Sequence, residues 1–419
     1  MQKINIWDKF LCVLMVFSLI FTVIIPISPN VAYAADEYDG LREKYKIKLI
    51  GYDPANPYNP NDEYIKLSID SLDSKVSKYL STMNSQCVWD DAVEPVPEDP
   101  EKLHAIISRL NILAMGWATH GSEYYNDTVL LNKIITGMDW LYTNRYNENT
   151  AQYGNWYPWE IDIPLDFNNT VVLLYDHLTS AQINNYMNAV DHFSPNVYYL
   201  SKPGSTNILT GANRILKCMV VGIRAIIVKD SVKLQESSDG MEDVFKYTTG
   251  GDGFYTDGSF IQHTYYPYAG AYGKDLLVSI SEMLWLLSGS TWESNSQFKD
   301  NVYKWVFDTY EPALFKGELF SSVRGRDIAR QLTNSTLSGF KIISSILTFS
   351  DMSTNTYRNE YKSIVKYHLQ SDFQDCYFRT CGNWYVQKAK SILNDAGITP
   401  RAELTGNYQF YNQDRVAQR

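Results

Sequence analysis

The chain has 419 residues, of which 47 are acidic and 37 basic, and its formal net charge is −10. This acidic balance argues against nucleic acid as a partner, although a local arginine cluster can still hold an anion. Five cysteines in so long a chain exclude a disulfide scaffold, so the core must come from apolar burial.

The first 34 residues have the pattern of a secretory signal peptide. Two lysines precede a nearly continuous apolar run from 10 to 25, and the small residues of Ala32–Ala34 suit a signal peptidase. The apolar run is slightly longer than a usual signal core, so an uncleaved membrane anchor is the alternative. Both interpretations place residues 35–419 outside the cytoplasm. We expect a secreted, extracellular protein without stable membrane insertion after cleavage.

Four cysteines follow this leader. Cys376 and Cys381 are close enough in sequence to pair across a short loop, and a free buried thiol is the alternative. No spacing of histidine and cysteine indicates zinc. We therefore expect neither a metal nor another cofactor.

Residues 35–419 are predicted to form one all-α domain. Apolar residues recur at three- and four-residue spacing, and alternating strands are nearly absent. Loops rich in Gly, Pro and Asn, such as 153–158, separate the periodic segments. Helices alternating with loops at irregular intervals are typical of helical hairpins in an open solenoid or a closed α/α toroid. The predicted helices are 103–118, 128–142, 208–228, 276–287, 301–314 and 337–349.

Aromatic residues are abundant, with 32 tyrosines and 10 tryptophans. Rings between polar loops suit a carbohydrate, because a pyranose has an apolar C–H face and a polar rim. For any single tyrosine, packing with a bonded hydroxyl is the better explanation. Asn155-Trp156-Tyr157-Pro158-Trp159 is the exception, since three rings in five residues are hard to bury on one helix face. We expect Asn155, Trp156 and Tyr157 to bind substrate.

The segment 250–273 carries the clearest functional signal. It is too rich in glycine to be a helix or an ordinary strand, and it places His263 and Tyr272 nine residues apart. Aromatic rings suited to stacking on sugars surround both residues. This composition is typical of an active site.

Five motifs follow one another in a specific order. A lone glycine-rich loop would be a weak signal, but this series resembles the polysaccharide lyases of the hyaluronate, chondroitin AC and xanthan lyase family. The resemblance covers nearly all of residues 35–419. The motifs are Asn155–Glu160 (NWYPWE), Thr210–Arg214 (TGANR), Asp252–His263 (DGFYTDGSFIQH), Tyr268–Gly273 (YAGAYG) and Val323–Arg330 (VRGRDIAR).

The resemblance implies an α/α toroid of helical hairpins, followed in family members by a large β-sandwich region. The sequence departs from the family at its end, where residues 414–419 resemble the junction at which that region begins. We therefore expect an incomplete toroid at 35–419, a monomer that lacks the β-sandwich region and the second wall of the cleft. The chain is then either a fragment or a truncated gene product.

The resemblance also implies the catalytic residues Asn213, His263 and Tyr272, with Arg326 beside them. β-Elimination at a uronate removes the C5 proton, which is α to the carboxylate, and expels the oxygen on C4. The ionised carboxylate makes that proton very weakly acidic, so it must be neutralised. Asn213 and His263 are suited to donate hydrogen bonds to it. Tyr272 is then expected to take the proton and return one to the leaving oxygen.

Arginines are expected to supply positive charge. A tyrosine hydroxyl ordinarily titrates near pH 10, so a tyrosine base needs a nearby cation, and Arg326 is the candidate. Arg324 and Arg330 are expected to bind the polyanionic substrate.

Each of these residues also has a structural explanation. Asn213 could be the N-cap of the helix that follows it. His263 could be a satisfied core histidine, and Tyr272 is one of 32 tyrosines. The arginines could form a solvated helix end, although Arg326 and Arg330, four residues apart, would share one helical face.

Two other classes of function stay open. An α/α-toroid glycoside hydrolase needs two carboxylates, and Asp252 and Asp257 of the glycine-rich loop could serve. A structural role for both, capping loop amides, is favoured. The other class is a weakly active or inactive carbohydrate-binding remnant of a lyase. Only elimination gives a product with new ultraviolet absorbance.

The expected substrate is a uronic-acid-containing polysaccharide of the hyaluronan, chondroitin or xanthan type, cleaved without a metal. Leu332 stands where family members place a polar or aromatic residue. Trp156-Tyr157 stands where hyaluronate lyases carry two successive tryptophans. Neither of these positions indicates which of the three polymers is the substrate.

Overall fold

The computed structural model describes residues 36–93, 99–201, 205–372, 374 and 376–419. The predicted signal peptide at 1–34 lies outside these residues. Among the residues described, none of the helices combines the length and the apolarity needed to cross a bilayer.

Residues Glu37–Arg419 form one compact unit made mainly of helices. A π-helical turn, Pro158–Asp162, leads directly into α6, and a second, Val306–Tyr310, separates α12 from α13. The α-helices are α1 (Glu37–Ile50), α2 (Glu63–Thr82), α3 (Asp90–Val93), α4 (Glu101–Ala118), α5 (Thr128–Asn144), α6 (Ile163–Leu174), α7 (Ser180–Phe193), α8 (Gly211–Val228), α9 (Ser231–Gly240), α10 (Glu242–Phe245), α11 (Tyr272–Leu287), α12 (Lys299–Trp305), α13 (Glu311–Ala313), α14 (Ser335–Asp351), α15 (Arg358–Ser371), α16 (Cys376–Thr380) and α17 (Asn383–Asn394).

The helices pack as hairpins around a ring. α1 packs against α6, α8, α11 and α17, so the first and last helices of the described unit meet. At this seam the Lys48 ammonium lies 3.3 Å from the centre of the Trp384 ring and donates to Thr348 at 3.0 Å. Lys44 donates to the carbonyls of Trp285 and Leu286, at the C-terminal end of α11. The predicted α/α toroid of helical hairpins is therefore confirmed.

The helix α8 lies at the centre of the packing. All its residues are buried except Asn213, Leu216 and Val228. A helix that is covered on every side is held by its neighbours, which here are α1, α6, α7, α9 and α11. The half-buried positions at its N-terminal end, Asn213 and Leu216, are therefore held by core packing.

Short strands occur in the described part as three small antiparallel sheets. The glycine-rich segment folds into β1 (Gly253–Phe254), β2 (Phe260–Gln262) and β3 (Tyr266–Pro267), with Phe254 opposite Phe260 and Ile261 opposite Pro267. This agrees with the prediction that the segment is neither a helix nor an ordinary strand. The other sheets are the hairpins β4 (Leu314–Phe315) with β5 (Glu318–Leu319) and β6 (Asn407–Phe410) with β7 (Arg415–Gln418).

Most of the predicted helices are confirmed, with two changes that have local causes. The helix predicted from 208 begins at Gly211, because Thr210 is extended and Gly211 has a φ of +53°. The helix predicted at 301–314 is wrong near its end, where the π-helical turn intervenes and Leu314 already belongs to β4. None of the four described cysteines forms a disulfide.

Candidate active site

A cavity of about 350 Å³ opens between the N-terminal ends of α8 and α11, the start of the π-helical turn and two loops. Of the nine site residues predicted from the sequence, eight line this cavity and Arg324 does not. The lining residues are Asn155, Trp156, Tyr157, Ala212, Asn213, Leu216, His263, Ala271, Tyr272, Asp275, Arg326, Asp327 and Arg330.

Tyr272 and Arg326 form the central contact of the cavity. Tyr272 is the first residue of α11, and its hydroxyl accepts a hydrogen bond of 2.9 Å from the Arg326 guanidinium. The guanidinium carbon also lies 5.6 Å from the centre of the Tyr272 ring. The guanidinium is therefore placed to stabilise negative charge that develops on this oxygen.

His263 stands beside Tyr272 on the surface of the cavity. Its ring meets the Tyr272 ring edge to face, with centroids 4.9 Å apart and planes at 85°. The side chain is exposed, which excludes the alternative of a core histidine. His263 and Thr264 both have left-handed backbone conformations, with φ of 54° and 70°. Residues other than glycine adopt this conformation at a cost, and such residues cluster at functional sites.

Asn213 is not the N-cap of its helix. Thr210 occupies that position, and Asn213 lies in the first turn of α8 with its side chain half-buried at the cavity wall. The surrounding core fixes the helix, so the amide is held at the cavity without a capping role.

The three arginines do not all line the cavity, and the expected position of Arg324 is corrected. Arg324 is buried, and its guanidinium donates to the Asp327 carbonyl and the Thr333 hydroxyl, each at 3.0 Å. Arg326 and Arg330 do line the cavity, but the segment from Gly325 is a 3-10 helix, so they do not share an α-helical face. Arg324 therefore supports the loop that presents the other two.

The aromatic segment is partly cavity wall and partly core. Helical conformation begins at Trp156, so this end of the predicted loop is helical. The rings of Trp156 and Tyr157, 5.5 Å apart, line the cavity, whereas Trp159 is completely buried. Burial raises the pKa of the Tyr157 hydroxyl, and the nearby carboxylates of Asp162 and Asp275 raise it further. Tyr157 is therefore a neutral hydrogen-bonding group.

A buried ion pair ties this aromatic segment to α8. Glu160 and Lys217 are both fully buried and lie 2.9 Å apart, and both Glu160 oxygens also accept from the Ser201 amide. Lys217 stands one turn after Asn213. The pair therefore fixes the aromatic side of the cavity relative to the amide side.

Two carboxylates of the cavity were not predicted. Asp275 follows Tyr272 by three residues on α11, a spacing that places both on one helical face and could have been recognised in the sequence. Asp327 is buried, 3.4 Å from the Lys274 ammonium and 3.3 Å from Arg330. Its charge is thus neutralised by two cations, and it anchors the arginine loop.

Asp252 and Asp257 have structural roles, as favoured from the sequence, and neither lines the cavity. Asp252 accepts from Thr210, Gln262 and Thr264. Asp257 accepts from Ser259 and from the backbone and side chain of Asn412. Burial opposes the charge of Asp257, but these hydrogen bonds lower its pKa below the ordinary value. Both carboxylates are occupied by loop donors.

One group of described side chains has the composition of a metal site. Ligand atoms of Glu101, His104 and Asp162 lie within 4.8 Å of one another. His104 Nε2 is 3.0 Å from Asp166, and Nδ1 is 3.6 Å from Glu101. Burial, opposed by His104 and aided by Glu101, raises the pKa of Asp162 to about 6. The sequence did not reveal this group, because Asp162 comes from a distant segment.

Comparisons with known proteins agree with the helical fold. The family model for polysaccharide lyase family 8, N-terminal α-helical domain, matches residues 52–367. The chain is 34% identical to a xanthan lyase of Bacillus sp. (strain GL1), covering 93% of this chain and 41% of the relative. It is 30% identical to a hyaluronate lyase of Thermasporomyces composti, covering 99% and 52%. The structure of the Streptomyces coelicolor A3 chondroitin AC lyase in complex with chondroitin sulphate matches with a TM-score of 0.83 and 27% identity, covering 92% and 52%. The chain thus spans about half the length of these proteins, or less.

Proposed function

Because this chain belongs to polysaccharide lyase family 8, we propose that it cleaves a uronic-acid-containing polysaccharide of the hyaluronan, chondroitin or xanthan type by β-elimination. The observation that carries the proposal is the 2.9 Å hydrogen bond between Arg326 and the Tyr272 hydroxyl in a cavity shared with Asn213 and His263. A proton acceptor, its activating cation and two hydrogen-bond donors are the groups that elimination next to a carboxylate requires.

In the proposed reaction, the substrate carboxylate binds to Asn213 and His263. The Asn213 amide is half-buried on a rigid helix, so its N–H groups are oriented before substrate arrives. Hydrogen bonds to the carboxylate oxygens withdraw charge, and they strengthen as the enolate-like intermediate forms at C5. The C5 proton becomes acidic enough to remove.

Tyr272 then removes that proton. Its hydroxyl oxygen, bonded to the Arg326 guanidinium, acts as the base in the phenolate form. Electrons of the C5–H bond form the C4–C5 double bond, and the C4–O bond breaks. Tyr272 returns the proton to the departing oxygen, which restores the phenolate.

The remaining cavity residues are proposed to hold the polymer. Trp156 and Tyr157 present rings to a sugar face, while Asn155 and Arg330 offer polar contacts at the same opening. Because Asp327 neutralises part of the Arg330 charge, Arg326 is the stronger centre for the reacting uronate.

We also propose that residues 1–34 direct secretion, that residues 35–419 act as a monomeric lyase domain, and that acidic polysaccharide is its partner. No step of the proposed reaction uses the Glu101, His104 and Asp162 group.

An absorbance assay tests the proposed function. Purified protein is mixed with hyaluronan, chondroitin, xanthan or alginate, with and without a chelator, and ultraviolet absorbance is followed. We expect absorbance to grow on at least one uronate polymer and to survive the chelator. New reducing ends without absorbance would indicate hydrolysis instead. Retained polymer binding with no product at high protein concentration would indicate a binding remnant.

A further inference from the structure

Asp252 does not line the cavity, but it is hydrogen-bonded to the two segments that carry Asn213 and His263. Its Oδ1 accepts from the Thr264 backbone N–H at 2.6 Å. Its Oδ2 accepts from Gln262 Nε2 at 2.6 Å and from the Thr210 hydroxyl at 2.7 Å. One carboxylate therefore holds the residues on both sides of His263 and the residue that begins α8.

The hydrogen bond to Thr264 supports an unfavourable backbone. His263 and Thr264 have φ of 54° and 70°, a conformation that persists only where the surroundings enforce it. The Thr264 N–H points at a carboxylate, which gives a charge-assisted bond stronger than a neutral one. The direction of the His263 side chain depends on this backbone.

The other oxygen of Asp252 secures the start of α8. Gly211 follows Thr210 with a φ of +53°, and a Cβ at that position would lie 2.2 Å from Gln262 Oε1. Gln262 is therefore packed directly against the backbone of Gly211, two residues before Asn213. Asp252 bonds to Gln262 and Thr210 across this contact.

We propose that Asp252 is a positioning residue that fixes the His263 imidazole relative to the Asn213 amide, so that both meet one substrate carboxylate. The kinetic part of this inference rests on the proposed lyase function, whereas the geometric part does not. Asp252 itself is not among the residues that line the cavity.

Replacing Asp252 by alanine and by asparagine tests the proposal. Asp252→Ala removes both acceptor oxygens and all three hydrogen bonds, and we expect kcat to fall about 100-fold with KM little changed, as for a misplaced reacting group. Asp252→Asn should recover most of the rate. Its oxygen can accept from Thr264, and its NH₂ can donate to Thr210. Once the Gln262 amide turns over, the NH₂ can also donate to Gln262 Oε1, which is buried without a partner in the described structure. A catalytic carboxylate would not be rescued by the amide.

Asp257→Ala is the matched control in the same loop. Asp257 accepts a similar set of hydrogen bonds, from Ser259 and Asn412, but holds the C-terminal hairpin rather than His263. We expect Asp257→Ala to lower stability with kcat nearly unchanged.

A double variant tests whether Asp252 acts through His263. In a His263→Ala background, Asp252→Ala should lower kcat only a few-fold further, because the residue that Asp252 positions is already gone. If the losses in kcat caused by His263→Ala and Asp252→Ala were fully additive, the proposal would be overturned.

A spectroscopic measurement separates this proposal from the proposed function. The His263 ring lies edge-on to the Tyr272 ring, so its carbon-bound proton signals carry a ring-current shift. These signals are assigned by their absence from the spectrum of His263→Ala. Asp252→Ala should shift the signals and Asp257→Ala should not, even if no polymer is cleaved.

A second variant serves if Asp252→Ala does not fold. Thr210→Val, which removes one donor to Asp252, should still lower kcat several-fold and shift the same signals. Unmoved signals in the variant that folds would refute the positioning role.

Discussion

The cavity has two walls that are held in different ways. The helical wall carries Asn213 on α8, Tyr272 on α11 and the Trp156-Tyr157 pair at the start of the π-helical turn. The loop wall carries His263, Arg326 and Arg330. The packed core, with one buried ion pair inside it, fixes the first wall, whereas hydrogen bonds and ion pairs of Asp252 and Asp327 fix the second.

The two walls therefore differ in how easily a single substitution can alter them. Asn213 and Tyr272 cannot move without disturbing the packed core, which is costly in a close-packed interior. His263 and Arg326 depend on Asp252 and on Asp327, whose bonds can be altered one at a time. We expect substitutions in the loop wall to change the rate with little loss of stability, and those in the helical wall to affect stability as well.

Tyr272→Phe should have the largest effect, because its hydroxyl is where the two walls meet. The variant keeps the ring packing but loses the proton acceptor and its bond to Arg326. We expect kcat to fall at least about 10³-fold, as for loss of a general base, with polymer binding unchanged. Tyr268→Phe is the control, since that ring lies 5.3 Å from Tyr272 but outside the cavity lining. Wild-type turnover in Tyr272→Phe would remove it as the base.

Asn213→Ala should have the next largest effect. Loss of one preorganised donor to a developing charge costs about 10²–10³-fold in kcat. Asn213→Asp should lose at least as much, since a second carboxylate then faces the substrate carboxylate. Steady-state absorbance assays measure both variants. An unchanged rate in Asn213→Ala would refute carboxylate neutralisation by this residue.

Lys217→Met tests the helical wall through stability. Removing one partner of a fully buried ion pair leaves Glu160 charged and unpaired, at a cost of about 3 kcal/mol in the free energy of unfolding. Glu160→Gln together with Lys217→Met should cost clearly less, because no buried charge remains. Denaturant unfolding compares the two. Equal destabilisation would show that the pair does not anchor this wall.

The sequence located residues that share one cavity more accurately than it located the ends of the helices. Eight of nine predicted residues line the cavity, because each belongs to a motif whose order in the chain is informative. The prediction assigned Arg324 to the cavity because Arg324 shares one motif with Arg326 and Arg330. In a 3-10 helix, residues two apart point in different directions, so only burial shows which side chain faces the cavity.

Several helices escaped prediction for a physical reason. The buried face of α1 includes Tyr45 and Lys48, and that of α15 includes Lys366 and His368, so a pattern of apolar residues does not detect them. Tertiary contacts satisfy these groups: Lys48 bonds to Thr348 across the ring seam. The aromatic segment shows the same limit, because only the packed helix reveals that Trp159 turns inward while Trp156 faces the cavity.

Acid should weaken the loop wall before the helical wall, and His368 gives the mechanism. Burial, with a contribution from Arg419, lowers the pKa of His368 to about 3. Its Nδ1 accepts from the Gly317 backbone N–H at 3.1 Å, in the hairpin that leads into the arginine loop. The unfolded chain binds a proton at this histidine below about pH 6.5, whereas the folded protein does so only near pH 3. Stability contributed by neutral His368 is therefore lost as pH falls between these values.

His104, on the helical side, should respond in the opposite sense. Burial opposes its charge, but the hydrogen bond to Asp166 prevails and raises its pKa, so its contribution to stability is present in acid and lost as pH rises through the folded pKa.

Between pH 6.5 and 4 we expect His368 to lower the free energy of unfolding by about 1–3 kcal/mol. Falling amide-exchange protection in residues 314–319 reports this loss. His368→Asn keeps an acceptor for Gly317 without a titrating group, so its hairpin protection should stay flat with pH. Two results would contradict this account of the difference between the walls. One is amide-exchange protection in α8 that falls before that of the hairpin, and the other is a His368→Asn variant whose hairpin protection falls with pH as in the wild type.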